Sequence, residues 1–520
     1  MRRFFVARAV KSSIGLLLLC STVLAATGAT SSASTGPKKG GSLTVLEIAS
    51  QWPGLDPTTN NQDAADVDYE NAIFGQLFEQ GPGTSVIDDL AQNYKTSDGG
   101  LQITINLRKG LKFSDGTPYT AADVVTSVEQ DLLPSNGCLC DFDFAVLSSI
   151  SANGPYQVVL HLSHPSATII ESFVSEAPNW TVDPTALASM GEPAYAQHPI
   201  GAGPFEVVSN EASASLVLKR NPLYWQKGHP YLNSLTFTSV ANETSGVAGV
   251  ESGSAQLMTG GITEDTLKQA DRAGLLTPKI SGVIANSIQV NDKIAPFNNP
   301  LARDAVYYAT NSKQIMNVIN SGVGKVVECP CGPGSHYYEA KVPGYRTYDL
   351  AKATALVSQL GGLSTQLMVL STPTGEQAGE VIASQWEAAG IKVQIVPDSL
   401  QSVINAYIHN SWTATTEAGG GIDPEVGVQA LSTRDSSKGI FSGTTDSTVD
   451  NLIAQSEETL NSANRGVLIH KIYATLASNA YNLYTYSAPQ QVVVSKTLGG
   501  VLLVPGQLGP AINYENVYIK

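Results

Sequence analysis

Between Gln366 and Ile395 the sequence spells a crossover that restricts the fold more than any other stretch. Gln366 to Leu370 reads as a strand, Glu376 to Ala389 as a helix closed by Gly390, and Ile391, Val393 and Ile395 alternate in a second strand. Such a strand, helix and strand bury their apolar faces together when the strands lie parallel and the helix crosses right-handedly between them. The preceding segment agrees, since Asp349 caps a helix whose Ala353, Leu356, Val357 and Leu360 share one face. This part of the chain therefore reads as α/β with a mainly parallel sheet.

A chain of 520 residues is too long for one small core, and about 150 residues per domain gives two or three domains. Its apolar fraction, 42%, is that of a globular protein. Only 14% of the residues are charged and the formal net charge is -15, so no basic surface is left to displace counterions from phosphates. Nucleic acid is excluded as a partner.

The sequence carries no G-x-S-x-G, H-E-x-x-H, P-loop or C-x-x-C. His161 and His164 are spaced suggestively but have no acidic or Cys partner nearby, so they read as ordinary histidines rather than metal ligands. No catalytic residue, metal site or cofactor is assigned, and the chain reads as a non-enzyme. A secreted hydrolase whose residues converge only in space is the contrasting function class.

Residues 1–34 read as a signal peptide and leader: Arg2, Arg3, Arg8 and Lys11 precede an apolar run from Ile14 to Ala26, and small residues follow through Ser34. The run is too short to span a bilayer comfortably. Cys20 raises lipid modification, but Leu19 stands where a lipobox has a small residue, so cleavage between Ala26 and Ser34 is the preferred reading. An exported protein, periplasmic or at the cell surface, is expected. The other four cysteines form two C-x-C pairs, Cys138/Cys140 and Cys329/Cys331, and an oxidising compartment favours disulfides over a soft metal.

From Leu101 to Val125 the chain reads strand, turn, capped helix. Ile103, Ile105 and Leu107 alternate, Asp115-Gly116 turns, Pro118 stops the strand, and Thr120 with Asp123 forms a capping box. Arg108-Lys109-Gly110-Leu111-Lys112-Phe113-Ser114-Asp115-Gly116-Thr117-Pro118 followed by Ala122-Asp123-Val124 closely resembles the signature of the family 5 extracytoplasmic solute-binding proteins, the peptide and nickel class that feeds ABC importers. Further similarities recur from Gly41 to Tyr484. They include the Leu55-Asp56-Pro57 loop after the Gly41–Ile48 strand, His198-Pro199-Ile200-Gly201-Ala202-Gly203-Pro204-Phe205, and Arg220-Asn221-Pro222 with Tyr224-Trp225. At Gly253-Ser254-Ala255-Gln256 the chain lacks a carboxylate that the family often uses.

The resemblance implies a two-lobed α/β fold of the class II periplasmic-binding-protein type, with an extra subdomain in the first lobe. By analogy the first lobe takes residues 38–283 and 488–520, with the subdomain at about 80–200, and the second takes 284–487, the Ile284 to Val290 strand being one crossing. It further implies a monomer that closes on a small-molecule or oligopeptide ligand and delivers it to a membrane permease. A cysteine bridge between lobes would oppose closure, so oxidation within each C-x-C pair is expected.

Trp52, in the loop beside the ligand cleft, is a stacking candidate. In the peptide binders of this family a Trp is followed shortly by an Asp that pairs with the α-amino group, a few residues before an Asp-Pro-Asp turn. Here Trp412 is followed by Glu417, Gly420 and Asp423-Pro424-Glu425. Matching Asp423-Pro424 to the turn puts the amine-pairing position at Gly420, which has no carboxylate, and leaves Glu417 as its substitute. A buried ammonium without a partner costs several kcal/mol, on the order of what burying an isolated charge requires. This counts against ordinary peptide capture, but with Glu417 as the substitute a peptide or peptide-like ligand is still the expectation, an oligosaccharide is the runner-up, and nickel falls behind for want of a His cluster.

Overall fold

The computed structural model describes residues 37–520 except 49–54, 58–66, 82–84, 137, 139, 141–142, 213, 417–434, 438, 440 and 506–508. Along the chain, β1 (Ser42–Ile48) is followed by α1 (Val67–Phe74). A helix from Ala64 to Phe78 with an Asp63 cap is the expectation from sequence; the described helix is shorter, and Asp63 lies outside the described residues.

An antiparallel insert comes next, with β2 (Ala91–Ser97), β3 (Gln102–Leu107), α2 (Ala121–Asp131), β4 (Leu147–Ala152) and β5 (Gln157–Leu162). Its strand order is β2-β3-β5-β4. Ile103, Ile105 and Leu107 turn one face of β3 inward, where they share a core with Val124 and Val128 of α2 and with Phe113 and Tyr119. The helix starts where the capping box predicts, with Thr120 N–H donating to Asp123 Oδ2 at 2.7 Å.

The chain then builds β6 (Phe205–Glu211), β7 (Ser215–Arg220), β8 (Ser234–Val240) and β9 (Leu257–Thr259). The Pro-Ile-Gly-Ala-Gly-Pro stretch before β6 lies against the last turn of α1. Gly203 N–H donates to Ile73 O at 2.9 Å, and a Cβ on Gly201 would sit 2.3 Å from that same oxygen. Only glycine permits this approach.

After the short β10 (Lys279–Ile280) come β11 (Asn286–Val290), α3 (Pro300–Ala309), β12 (Lys325–Val326), α4 (Leu350–Gln359) and β13 (Leu363–Leu370). They are followed by α5 (Pro373–Ala388), β14 (Ile391–Asp398), α6 (Leu400–Ile408), β15 (Ala414–Thr415), α7 (Ser447–Glu458) and α8 (Ser462–Asn479). The described strands continue with β16 (Asn482–Ser487), β17 (Gln490–Gln491) and β18 (Val493–Val494), and further short strands follow.

Two six-stranded sheets result. The first has the order β18-β9-β1-β8-β7-β6, with β1 parallel to both β8 and β9. The second has the order β12-β16-β11-β15-β13-β14, with β13 parallel to β14 and β15, as the crossover predicts. Each sheet has its own apolar core: Leu43, Val45, Leu218 and Phe237 in the first, and Ile288, Leu367, Val369 and Trp386 in the second. The chain passes between them at β10 and β17, which pair antiparallel as a separate ribbon, Lys279 opposite Gln491. One expectation is thereby corrected: Asn286–Val290 is an internal strand of the second sheet, and the crossing is made just before it.

Candidate functional site

In open α/β sheets, ligands gather beyond the carboxyl ends of the strands, where loops leave the sheet and backbone groups are free. Here β1 ends at Ile48, ahead of Trp52 in the chain, while β15 ends at Thr415, ahead of Glu417, Gly420 and Asp423. Trp52, Glu417, Gly420 and Asp423 themselves lie outside the described residues. What the structure does show is that the described strands preceding these candidates, β1 and β15, belong one to each sheet and that each has a parallel neighbour.

The base of the first loop is fixed. Leu55 is fully buried and its N–H donates to Ala196 O at 2.8 Å, and Asp56 is turned inward. Near it, at the end of α2, Asp131 is completely buried, and neither carboxylate oxygen has a hydrogen-bond partner among the described residues. Burial, and behind it the charge of Asp56, pushes the Asp131 carboxyl well above the ordinary carboxylate range.

The same lobe buries more acid beneath α1. Desolvation pushes Asp68 up to about 6, even though it accepts hydrogen bonds from Ile512 N–H and Tyr514 Oη. Glu79, Asp89 and Glu515 line a cavity of about 10 Å³, room for one water, and burial raises all three. Arg108 stands beside this group, donating from Nε to Asp89 O, with its guanidinium 4.0 Å from the Trp225 ring centre.

Trp412 is the one candidate that lies within the described residues. It precedes β15 by two residues, at the level of Thr365 near the amino end of β13. Only 2% of it is exposed, its ring centre is 4.8 Å from that of Tyr407, and it shares a small core with Met368 and Val403. Sequence reasoning pairs this ring with a ligand because a tryptophan before a Gly-rich loop looks the same in either setting.

The ribbon between the sheets is the feature that sequence reasoning missed. Gly332 N–H donates to Val283 O at 2.8 Å, Gly334 N–H to Gly282 O at 3.0 Å, and Ala285 N–H to Pro330 O at 3.1 Å, so the Cys329–Gly334 turn is laced along one crossing strand. The glycine spacing in Cys331-Gly332-Pro333-Gly334 was the available signal. Within this turn the Cys329 and Cys331 sulfurs are 3.4 Å apart and are thiols, whereas Cys138 and Cys140 are joined by a disulfide. The bond thus lies within the first C-x-C pair, and the second pair lies side by side without one. Among the described residues no group of three or more His, Cys, Asp or Glu side chains could hold a metal ion.

The sequence profile described as "Bacterial extracellular solute-binding proteins, family 5 Middle" matches residues 85–437. The chain belongs to this family. Among curated family 5 relatives, the glutathione-binding protein GsiB of Salmonella choleraesuis is 27% identical over 376 residues, which is 72% of each chain. Among solved structures, AgaA of A. tumefaciens R10 in complex with agropinic acid superposes with a TM-score of 0.77 at 22% identity, covering 92% of this chain and 99% of that one. DppA of Helicobacter pylori in complex with the peptide STSA gives a TM-score of 0.77 at 20% identity, covering 93% and 98%. The family 5 chain thus has a two-lobed fold, its lobes built on the two sheets. No described helix is long and apolar enough to cross a membrane.

Proposed function

We propose that this protein is the exported substrate-binding component of an ABC importer, and that it captures a peptide or peptide-like solute by hinge closure and hands it to a membrane permease. The observation that carries the proposal is the family match over residues 85–437, on a chain whose two sheets are joined by a two-stranded ribbon. A ligand that touches both lobes gains its full contact only in the closed form, so binding shifts the population toward closure. We take the lobes as 38–283 with 488–520 and 284–487, and the ribbon as the hinge. The protein acts as a monomer without catalysis, periplasmic or at the cell surface, after removal of the 1–34 leader rather than through a lipid on Cys20.

Relatives named for glutathione and peptide binding support a peptide-like ligand. Glu417 supplies the carboxylate that Gly420 lacks and pairs with the ligand's amine, Trp52 stacks on the ligand, and Asp423 turns the loop. The AgaA structure, with agropinic acid, supports a second reading in which the ligand is not a peptide. Calorimetry of the ligand-free protein and of Glu417→Gln against short peptides, glutathione and oligosaccharides decides between them. Peptide binding lost in Glu417→Gln supports the first reading; binding only of solutes without an amine, indifferent to Glu417, overturns it. Turnover of a peptide or cell-wall substrate would point to the hydrolase class instead.

A further inference from the structure

The insert and the end of α7 meet at a point that involves no residue of the ribbon. Ala167, just past β5, donates its N–H to Glu457 O across 2.7 Å. A Cβ on Gly100 would meet Pro165 Cβ at 2.9 Å and Leu460 Cδ1 at 3.1 Å, so Leu460 lies on the turn between β2 and β3.

Each side of this contact is anchored in its own core. α7 packs through Val449 and Ile453 on Ile469 and Ile472 of α8. The buried Arg465 of α8 donates from Nη1 to Thr459 O at 3.1 Å, which fixes the chain between Glu457 and Leu460. On the other side Ser166 Oγ accepts from Ile169 N–H at 3.1 Å, and Ile169 and Ile170 belong to the core of the insert. A backbone bond between two segments held this way has to break before the segments can part.

Charge sets how firmly they hold. Asp143 of the insert is hydrogen-bonded to Glu176, and Glu457 acts on it from α7. Two carboxyl groups share a hydrogen bond only while one of them keeps its proton. Burial, with the Glu457 charge behind it, pushes the Asp143 carboxyl up to about 7. Asp98, His164 and Glu458, which flank the contact in sequence, are exposed, and Arg465 is the buried cation on the α7 side. Parting withdraws Glu457 and lets water reach Asp143, so its carboxyl moves back toward an ordinary 3.8. The joined form therefore binds more protons, is favoured at acid pH, and weakens as pH rises through about 7.

We propose that the end of α7 and the insert form a latch, a direct connection between the lobes that must part before they separate and that like charge on its two sides loosens. This rests on the two-lobed closure proposed above and adds a control to it, since acid favours the joined form as well as ligand does.

Small-angle scattering at pH 5.5 and pH 8.5, with and without a saturating peptide found by calorimetry, tests the latch. Without peptide the radius of gyration is expected to be larger at the alkaline end. Glu457→Gln and Asp143→Asn each remove one charge from the contact and should cut that difference about twofold or more. Leu460→Ala, which strips the apolar part of the contact, should enlarge the radius at both pH values. A difference that survives unchanged in both charge variants overturns the proposal. So does a radius that answers to peptide but not to pH, which leaves the importer function standing. A radius that answers to pH through Glu457 but not to peptide supports the latch and counts against closure on a peptide; no response to either overturns both.

Discussion

A Cβ on Gly282 would lie 1.9 Å from the carbonyl oxygen of Ala488, so the two crossing strands touch backbone to backbone. Gly332 closes the same contact from the other side, where a Cβ would meet Gly282 O at 2.2 Å. No side chain fits, and the ribbon can stay thin enough to bend only if these positions remain glycine.

Gly282→Ala is therefore expected to lower stability by about 1 to 3 kcal/mol, the usual cost of overpacking, and to change the distribution between open and closed forms. Thermal unfolding and scattering of the ligand-free variant check this. A variant as stable as the parent, with unchanged scattering, would show that the ribbon relaxes easily.

Trp412→Ala is expected to destabilise by about 3 to 5 kcal/mol, because it empties a packed site beside Tyr407 and Met368. Denaturant unfolding measures it. A loss of ligand binding with unchanged stability would instead make Trp412 a ligand contact.

Stability should fall as pH rises from about 4 to 6. The Asp68 carboxyl ionises at about 6 when folded and at an ordinary 3.8 when unfolded, so across this window the folded state binds more protons and is favoured at the acid end. The raised carboxyls of Glu79, Asp89 and Glu515 act in the same direction and carry the trend higher. Thermal melts from pH 4 to pH 8 read the slope, and Asp68→Asn should flatten its lower part.

Cys329 and Cys331 are wholly buried thiols, so a thiol reagent should titrate two groups in leader-free protein only after unfolding. Peptide mapping should find Cys138 linked to Cys140. A Cys138 or Cys140 peptide joined to a Cys329 or Cys331 peptide would contradict the local pairing.

Much of the fold was legible because its signals are local. The capping box at Thr120 and Asp123, the Asp349 cap, and the alternation of Ile103, Ile105 and Leu107 each fix an element within a few residues, and the crossover at 366–395 fixes a parallel pair. The inner position of Asn286–Val290 was not legible, since it depends on pairing with Asn482–Ser487 and Ala414–Thr415 far along the chain. The burial of Trp412 depends likewise on α6 folding back over β13. The ligand loops carry their chemistry in residues that local patterns do not position, so sequence names Trp52, Glu417, Gly420 and Asp423 as candidates without arranging them.

The central claim is closure of two lobes on a peptide-like solute. Small-angle scattering of the ligand-free protein, before and after saturation with a peptide found by calorimetry, tests it most directly. The account predicts a smaller radius of gyration on binding, reversed when the ligand is removed; a peptide that binds tightly and leaves the radius unchanged would contradict it.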